Sequence, residues 1–256
     1  MVRPVSRLRL AVCLAVAVVA WLRPAPAAAQ AAPTLDHFWC YIVQGQPIET
    51  PVLLRDQWTP AGALAPALVR NAVRFCNPVK KTTADGAVTD ITNREAHLKM
   101  YLAHTPALGP ALNVRVRNQF GGRQRLKVFD PIILGVPSAK DSETPPTGLD
   151  HFKCYRAYGG ALRRRVVRLE DQFQAATVTV RRAVAFCNPT EKRHNTTVTP
   201  ITNEKGHLVC YSVTPTSLPA PRTFFTDEQF AGGNLVTTGS DILCVPSEKV
   251  AFAPIL

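Results

Sequence analysis

The chain has 256 residues, 30 lysines and arginines against 18 acids, and 22 prolines. So many prolines argue against long helices, and beyond residue 22 no stretch is apolar enough to span a bilayer. What remains is a basic, strand-rich chain, whose surplus charge serves solubility or meets an acidic partner.

Residues 1–29 read as an export signal. Arg3, Arg7 and Arg9 precede an apolar run from Leu10 to Leu22, and Ala27-Ala28-Ala29 before Gln30 makes the cut. That run is about 13 residues, short for a membrane anchor. Cleavage removes four arginines and Cys13, leaving 26 basic against 18 acidic side chains, a net charge of +8, and six cysteines. An even number of cysteines in an exported chain points to disulfides and to a periplasmic or extracellular address.

The mature chain repeats itself. LDHFWCY (Leu35 to Tyr41) returns as LDHFKCY (Leu149 to Tyr155), RFCNP as AFCNP, ITNREAHLKMY as ITNEKGHLVCY, and LGVPSAK as LCVPSEK, in the same order. The expected layout is a first β repeat over 30–140, a proline-bearing linker over 141–148, a second repeat over 149–250 and a tail over 251–256. Each repeat also holds two related halves, giving four modules of about 50 to 60 residues. Their markers run His37, Gln57-Trp58, Cys76, Pro78; His97, Gln119-Phe120, Gly135, Pro137; His151, Gln172-Phe173, Cys187, Pro189; and His207, Gln229-Phe230, Cys244, Pro246.

Inside a module the period is two. VRVRNQF sets Val114, Val116 and Phe120 on one face and Arg115, Arg117 and Gln119 on the other. VRLEDQF repeats the pattern with Val167, Leu169 and Phe173, as half-buried strands do. Turn residues such as Gly121-Gly122 and Gly232-Gly233 follow, so each module centres on a hairpin. The fold class is all-β. Two tandem copies of a small sandwich or partly open barrel are expected, each built from two three-strand modules.

Comparison of the modules also pairs the cysteines. The second module has Met100 where the fourth has Cys210, and Gly135 where it has Cys244. Both partners of one bridge are missing together. The pairing is therefore Cys40–Cys76, Cys154–Cys187 and Cys210–Cys244, each within a module.

Four motifs invite a chemical reading. His37, His151 and His207 each stand three residues before a cysteine, but residues i and i+3 of a strand face opposite ways, so no metal site is expected. Strand-edge stacking on the tyrosine four residues on is the expectation for these histidines. Asp36-His37 and Asp150-His151 resemble part of a catalytic pair, with Asp150 and His151 the best candidates for a hydrolase, yet no activated nucleophile accompanies them. The acid or amide and the glutamine of each Asp/Asn/Glu-Gln-aromatic motif are expected to satisfy backbone groups at the strand bend. Arg163, Arg164, Arg165 and Arg168, with Arg181 and Arg182 on the facing strand, have no counterpart in the first repeat. They read either as a charged edge strand or as a phosphate or sulfate site. Asn195-Thr196-Thr197 is a glycosylation sequon by rule.

The series HFxCY, DQF, FCNP, HLxCY, QFGG, LCVPS-K resembles an uncharacterised family of exported bacterial proteins carrying a disulfide-bridged β unit, over Leu35 to Lys249. Met100, Gly135 and Trp58 depart from its pattern. The resemblance implies export and repetition and lends no activity. The expectation is a non-catalytic exported binding or structural protein without a cofactor. Its partner is an acidic polymer or cell-surface component if the arginine cluster binds; no nucleic acid and no membrane span are expected.

Overall fold

A computed structural model describes residues 35–160, 162, 165–230 and 232–255. The expected export signal over 1–29, Arg163 and Arg164 lie outside the described residues. The regular structure is entirely β, in fourteen strands among the described residues. They are β1 (Phe38–Gly45), β2 (Thr50–Arg55), β3 (Ala65–Pro78), β4 (Lys80–Thr83), β5 (Val88–Thr89), β6 (His97–His104) and β7 (Leu112–Asn118). The rest are β8 (Gly121–Lys140), β9 (His151–Gly159), β10 (Arg165–Glu170), β11 (Ala175–His194), β12 (Thr197–Thr199), β13 (His207–Asp227) and β14 (Gly233–Pro254). The described residues belong to one compact unit.

The hydrogen bonding returns to its start. β1 pairs with β3, β3 with β6, β6 with β8, β8 with β9, β9 with β11, β11 with β13, β13 with β14, and β14 with β1, so eight antiparallel strands close a ring. Each module supplies its first and third strands. The two repeats therefore share one ring rather than forming two separate sheets, because β1 must reach β14 and β8 must reach β9 to bury their remaining edges. The ring is not a regular barrel. Its pairing shifts register at several bulges, and its long strands run on to pair again outside it.

The middle strand of each module folds against the outside of the ring and pairs with the tail of the module two places away. β2 pairs with the end of β11, β10 with β4, β7 with the end of β14, and the 222–227 end of β13 with the end of β8. Tail residues Ala251–Pro254 pair as strand with Leu112–Arg115. The 141–148 segment is tied down, with Asp141 and Phe225 exchanging hydrogen bonds of 2.8 and 2.9 Å.

Alternation decides which side chains enter the ring. Phe38, Leu98, Phe152 and Leu208 form one internal layer, and Cys40, Met100, Cys154 and Cys210 the next. Disulfides join Cys40 to Cys76, Cys154 to Cys187, and Cys210 to Cys244, between residues directly opposed in register. Sulfurs of neighbouring bridges lie 3.9 Å (Cys40 to Cys244) and 4.0 Å (Cys187 to Cys210) apart. In the remaining quarter Met100 opposes Gly135, and a Cβ on that glycine would stand 3.0 Å from the Met100 sulfur. Absence of a side chain at residue 135 makes the space that Met100 fills.

Candidate functional site

The recurring motifs form latches between opposite modules. On the outer face of the ring stand Tyr41, Tyr101, Tyr155 and Tyr211, all buried. Tyr41 donates to Asp171 at 3.0 Å, Tyr155 to Asp56 at 2.7 Å and Tyr101 to Glu228 at 2.5 Å, while Asn118 donates to Tyr211 at 2.8 Å. The aromatic two residues after each acid or amide packs on the same tyrosine. Phe173 meets Tyr41, Trp58 meets Tyr155, Phe230 meets Tyr101 and Phe120 meets Tyr211, at centroid distances of 4.6 to 5.5 Å. Burial, reinforced by the neighbouring carboxylate, pushes Tyr41, Tyr101 and Tyr155 well above the usual phenol range, so they remain donors.

The acids also cap the bend, as expected. Asp56, Asn118, Asp171 and Glu228 accept from the backbone N–H of Trp58, Phe120, Phe173 and Phe230 at 2.7 to 3.3 Å. The glutamines differ from expectation and turn mainly to side chains of other modules. Gln57 donates to Asn188 at 2.5 Å, Gln119 meets His37, Gln172 meets Lys140, and Gln229 meets Lys192. Among the described residues only Gln172 of these also reaches a backbone carbonyl, that of Arg94 at 3.3 Å.

The histidines stand at the base of the ring. His97 stacks on Phe75 at 5.3 Å and His207 packs at a tilt on Phe186 at 5.5 Å, rather than on the expected tyrosines. A tyrosine four residues along the same strand is too far along the axis, whereas those phenylalanines lie on the strand next door. Burial, with a lysine nearby, pulls His37 and His151 down to about 3 and His207 to about 4, so the rings are neutral. Asp150 is committed elsewhere. It accepts from the Thr202 backbone and hydroxyl and the Asn203 backbone, each at 2.8 Å, while neither ring nitrogen of His151 has a hydrogen-bond partner among the described residues. Asp36 holds Thr92 and Asn93 in the same way. The Asp-His neighbours are thus loop anchors beside buried rings and do not bond to each other.

Sequence reasoning missed the lysines beside these histidines. Lys81, Lys140 and Lys192 are buried and Lys249 is half-buried. Pro78, Pro137, Pro189 and Pro246 each precede one by three residues, a Pro-x-x-Lys signal present in all four modules. Burial lowers Lys192 and Lys249 to about 8.

The exposed cations divide into two surfaces. Arg165, Arg168, Arg181 and Arg182 are exposed on the β10–β11 hairpin. Residues 165 and 168 fall on opposite faces of β10. A bulge between Val180 and Ala183 turns both Arg181 and Arg182 into an open cavity of about 870 Å³, which Arg74, paired with Asp241 at 2.6 Å, also lines. The structure therefore splits the predicted arginine cluster. The second surface was seen only as strand pattern. Arg115, Arg117, Arg123, Arg125 and Lys127 are all exposed on the β7–β8 hairpin. Arg115 directly opposes Arg125, a repulsive cross-strand pair. Among the described residues only Arg117 of these five has an ion-pair partner, Glu248 at 3.3 Å. Tyr158, 48 % exposed, stands opposite Lys127 at the edge of the same surface.

Fold and latches together define a disulfide-bridged, all-β repeat protein. The chain belongs to a family described as a repeat of unknown function (DUF7450), whose model matches residues 97–246, from the second module to the end of the fourth. No curated protein and no solved structure matches the chain.

Proposed function

We propose that this chain is a non-catalytic exported binding module whose partner is an acidic polymer bearing sulfate, phosphate or carboxylate groups. The observation that carries this reading is the β7–β8 face, where Arg115 and Arg125 oppose each other, neither with an ion-pair partner among the described residues. Like charges at that spacing destabilise a hairpin, and a polyanion laid across them converts the repulsion into paired contacts. The recurring tyrosines and their acid or amide partners are engaged in holding the modules together and the recurring histidines are buried, so the unshared surface charge is the part that faces a partner. Three intramolecular disulfides suit an oxidising compartment, in keeping with export.

The test is retention of the mature protein on a sulfated polyanion column near ~0.15 M salt. Two variants run beside it, one with Arg115, Arg117, Arg123 and Arg125 changed to Ser, the other with Arg165, Arg168, Arg181 and Arg182 changed to Ser. Wild type is held, and the first variant elutes at much lower salt. Loss confined to the second variant moves the site to the β10–β11 hairpin. If all three wash through, the polyanion reading fails.

A further inference from the structure

The second and third modules carry a lysine at one buried position, and only in the third does it face an asparagine. The residue that follows the innermost apolar side chain of each leading strand is Trp39, Lys99, Lys153 or Val209. Lys153 is 5 % exposed, and directly across the β9–β11 ladder stands Asn188, fully buried. Their neighbours Cys154 and Cys187 point into the ring, so Lys153 and Asn188 share the outer face.

One carboxylate meets both side chains. Asp56 has Oδ1 3.8 Å from the Lys153 Nζ, and its Oδ2 accepts from Asn188 Nδ2 at 2.9 Å. Gln57 donates to Asn188 Oδ1 at 2.5 Å, and Tyr155 donates to Asp56 at 2.7 Å. The rings of Trp58, Tyr155 and Phe186 pack together, at centroid distances of 4.6 and 5.4 Å, and Asp56, Lys153 and Asn188 are all buried. Opposite, in the first module, Asn77 donates to Asp171 at 3.1 Å and Tyr41 donates to Asp171 at 3.0 Å. There the residue across from Asn77 is Trp39. The Asn-Asp-Tyr set is therefore shared architecture, and Lys153 is an amine added to one of its two copies.

We propose that Lys153 and Asn188 join in an intramolecular isopeptide bond, with Asp56 carrying the proton. The neutral amine of Lys153 adds to Cγ of Asn188, whose carbonyl is polarised by the Gln57 N–H. Asp56 takes the proton from Nζ at one oxygen and delivers it to Nδ2 beside the other. The Cγ–Nδ2 bond breaks as the Nζ–Cγ bond forms, and ammonia leaves. One amide replaces another, nothing is oxidised or reduced, and the step occurs once per chain. Burial favours the neutral amine that the step needs, lowering the lysine pKa against the opposing pull of Asp56. The product exchanges the primary amide of Asn188 for a secondary one. It also holds β9 to β11 one register position from the Cys154–Cys187 bridge, so that this joint survives reduction.

The experiment is mass spectrometry of the reduced, denatured mature protein, followed by peptide mapping. The wild type is expected to be lighter than its sequence mass by one ammonia, with a branched peptide containing Lys153 and Asn188. Lys153→Met and Asp56→Asn are expected at full mass. Separate, unbranched peptides around Lys153 and Asn188 in the wild type overturn the proposal, and this reading holds even where a variant does not fold. An ammonia loss that persists in Lys153→Met, as cyclisation of an N-terminal Gln30 would give, also counts against it. The outcome is independent of polyanion retention.

Discussion

Three quarters of the ring are closed by sulfur and one is not. Where Cys40, Cys154 and Cys210 are bonded across to the neighbouring strand, register is fixed covalently. Between β6 and β8, Met100 packs against Gly135, and register rests on shape. That same quarter carries a clamp from the segment between the repeats. Glu143 is 2.6 Å from Nε2 of His97, at the start of β6, and accepts at 2.7 Å from Lys140, at the end of β8. Of the four ring histidines, His97 alone has a carboxylate partner among the described residues. The comparison teaches that a duplicated scaffold can lose a covalent staple where packing and a local ion pair hold the same two strands.

Breaking a bridge tests the sulfur side of this contrast. Cys154→Ala with Cys187→Ala opens a loop of 33 residues, and the expected loss is about 2–5 kcal/mol of stability, read from denaturant midpoints. A loss under about 1 kcal/mol would mean that packing holds every quarter and that the bridges are dispensable. Because this pair lies beside Lys153 and Asn188, the measurement belongs with Lys153→Met as background.

The converse change sharpens the contrast. Met100→Cys with Gly135→Cys places a fourth bridge at directly opposed positions. Removing the Met100 side chain also clears the atom that a Cβ on residue 135 would strike. The chain-entropy model gives about 4 kcal/mol for a loop of this size, reduced by the methionine packing that is lost. The check is a rise in the unfolding midpoint that disappears on adding a thiol. A bridge that forms without stabilising would show that the two strands are already held as firmly as the bonded ones.

Much of this ring is legible residue by residue, because alternation at period two and module alignment are local properties. VRVRNQF and VRLEDQF announce their buried faces, and Met100 with Gly135 marks the quarter without sulfur. Ring closure is not local. It requires Phe38 to pair with Cys244, and nothing in either segment names the other. The latches were hidden for the same reason: Tyr41 and Asp171 are conspicuous repeats, but their meeting depends on strands crossing between modules two places apart. The glutamines misled because the backbone groups at the bend are already taken by the neighbouring acid. Of the surface cations, Arg181 and Arg182 share a cavity only because a bulge breaks the alternation that strand reasoning relies on.

The smallest effect separates the Glu143 clamp from the other quarters by its pH dependence. Buried His37, His151 and His207 titrate near 3 to 4 when folded and near 6.5 when unfolded. Between those limits the unfolded chain binds more protons, so stability falls as pH drops from about 6.5 toward 3. Glu143 adds a second, lower window. Burial raises its carboxyl, but hydrogen bonds from His97 and Lys140 outweigh that and hold it at about 2, below its ordinary 4.5. Its contribution is present above about 4.5 and disappears as pH falls toward 2. Glu143→Gln should cost about 1 kcal/mol at pH 7, discounted for its partial exposure. The gap between variant and wild type should narrow below pH 4.5 while both lose stability together from pH 6.5 downward. Thermal melts across this range decide it: a gap that stays constant to pH 2 would show that Glu143 acts through shape, leaving Met100 and Gly135 to hold the unbridged quarter by packing alone.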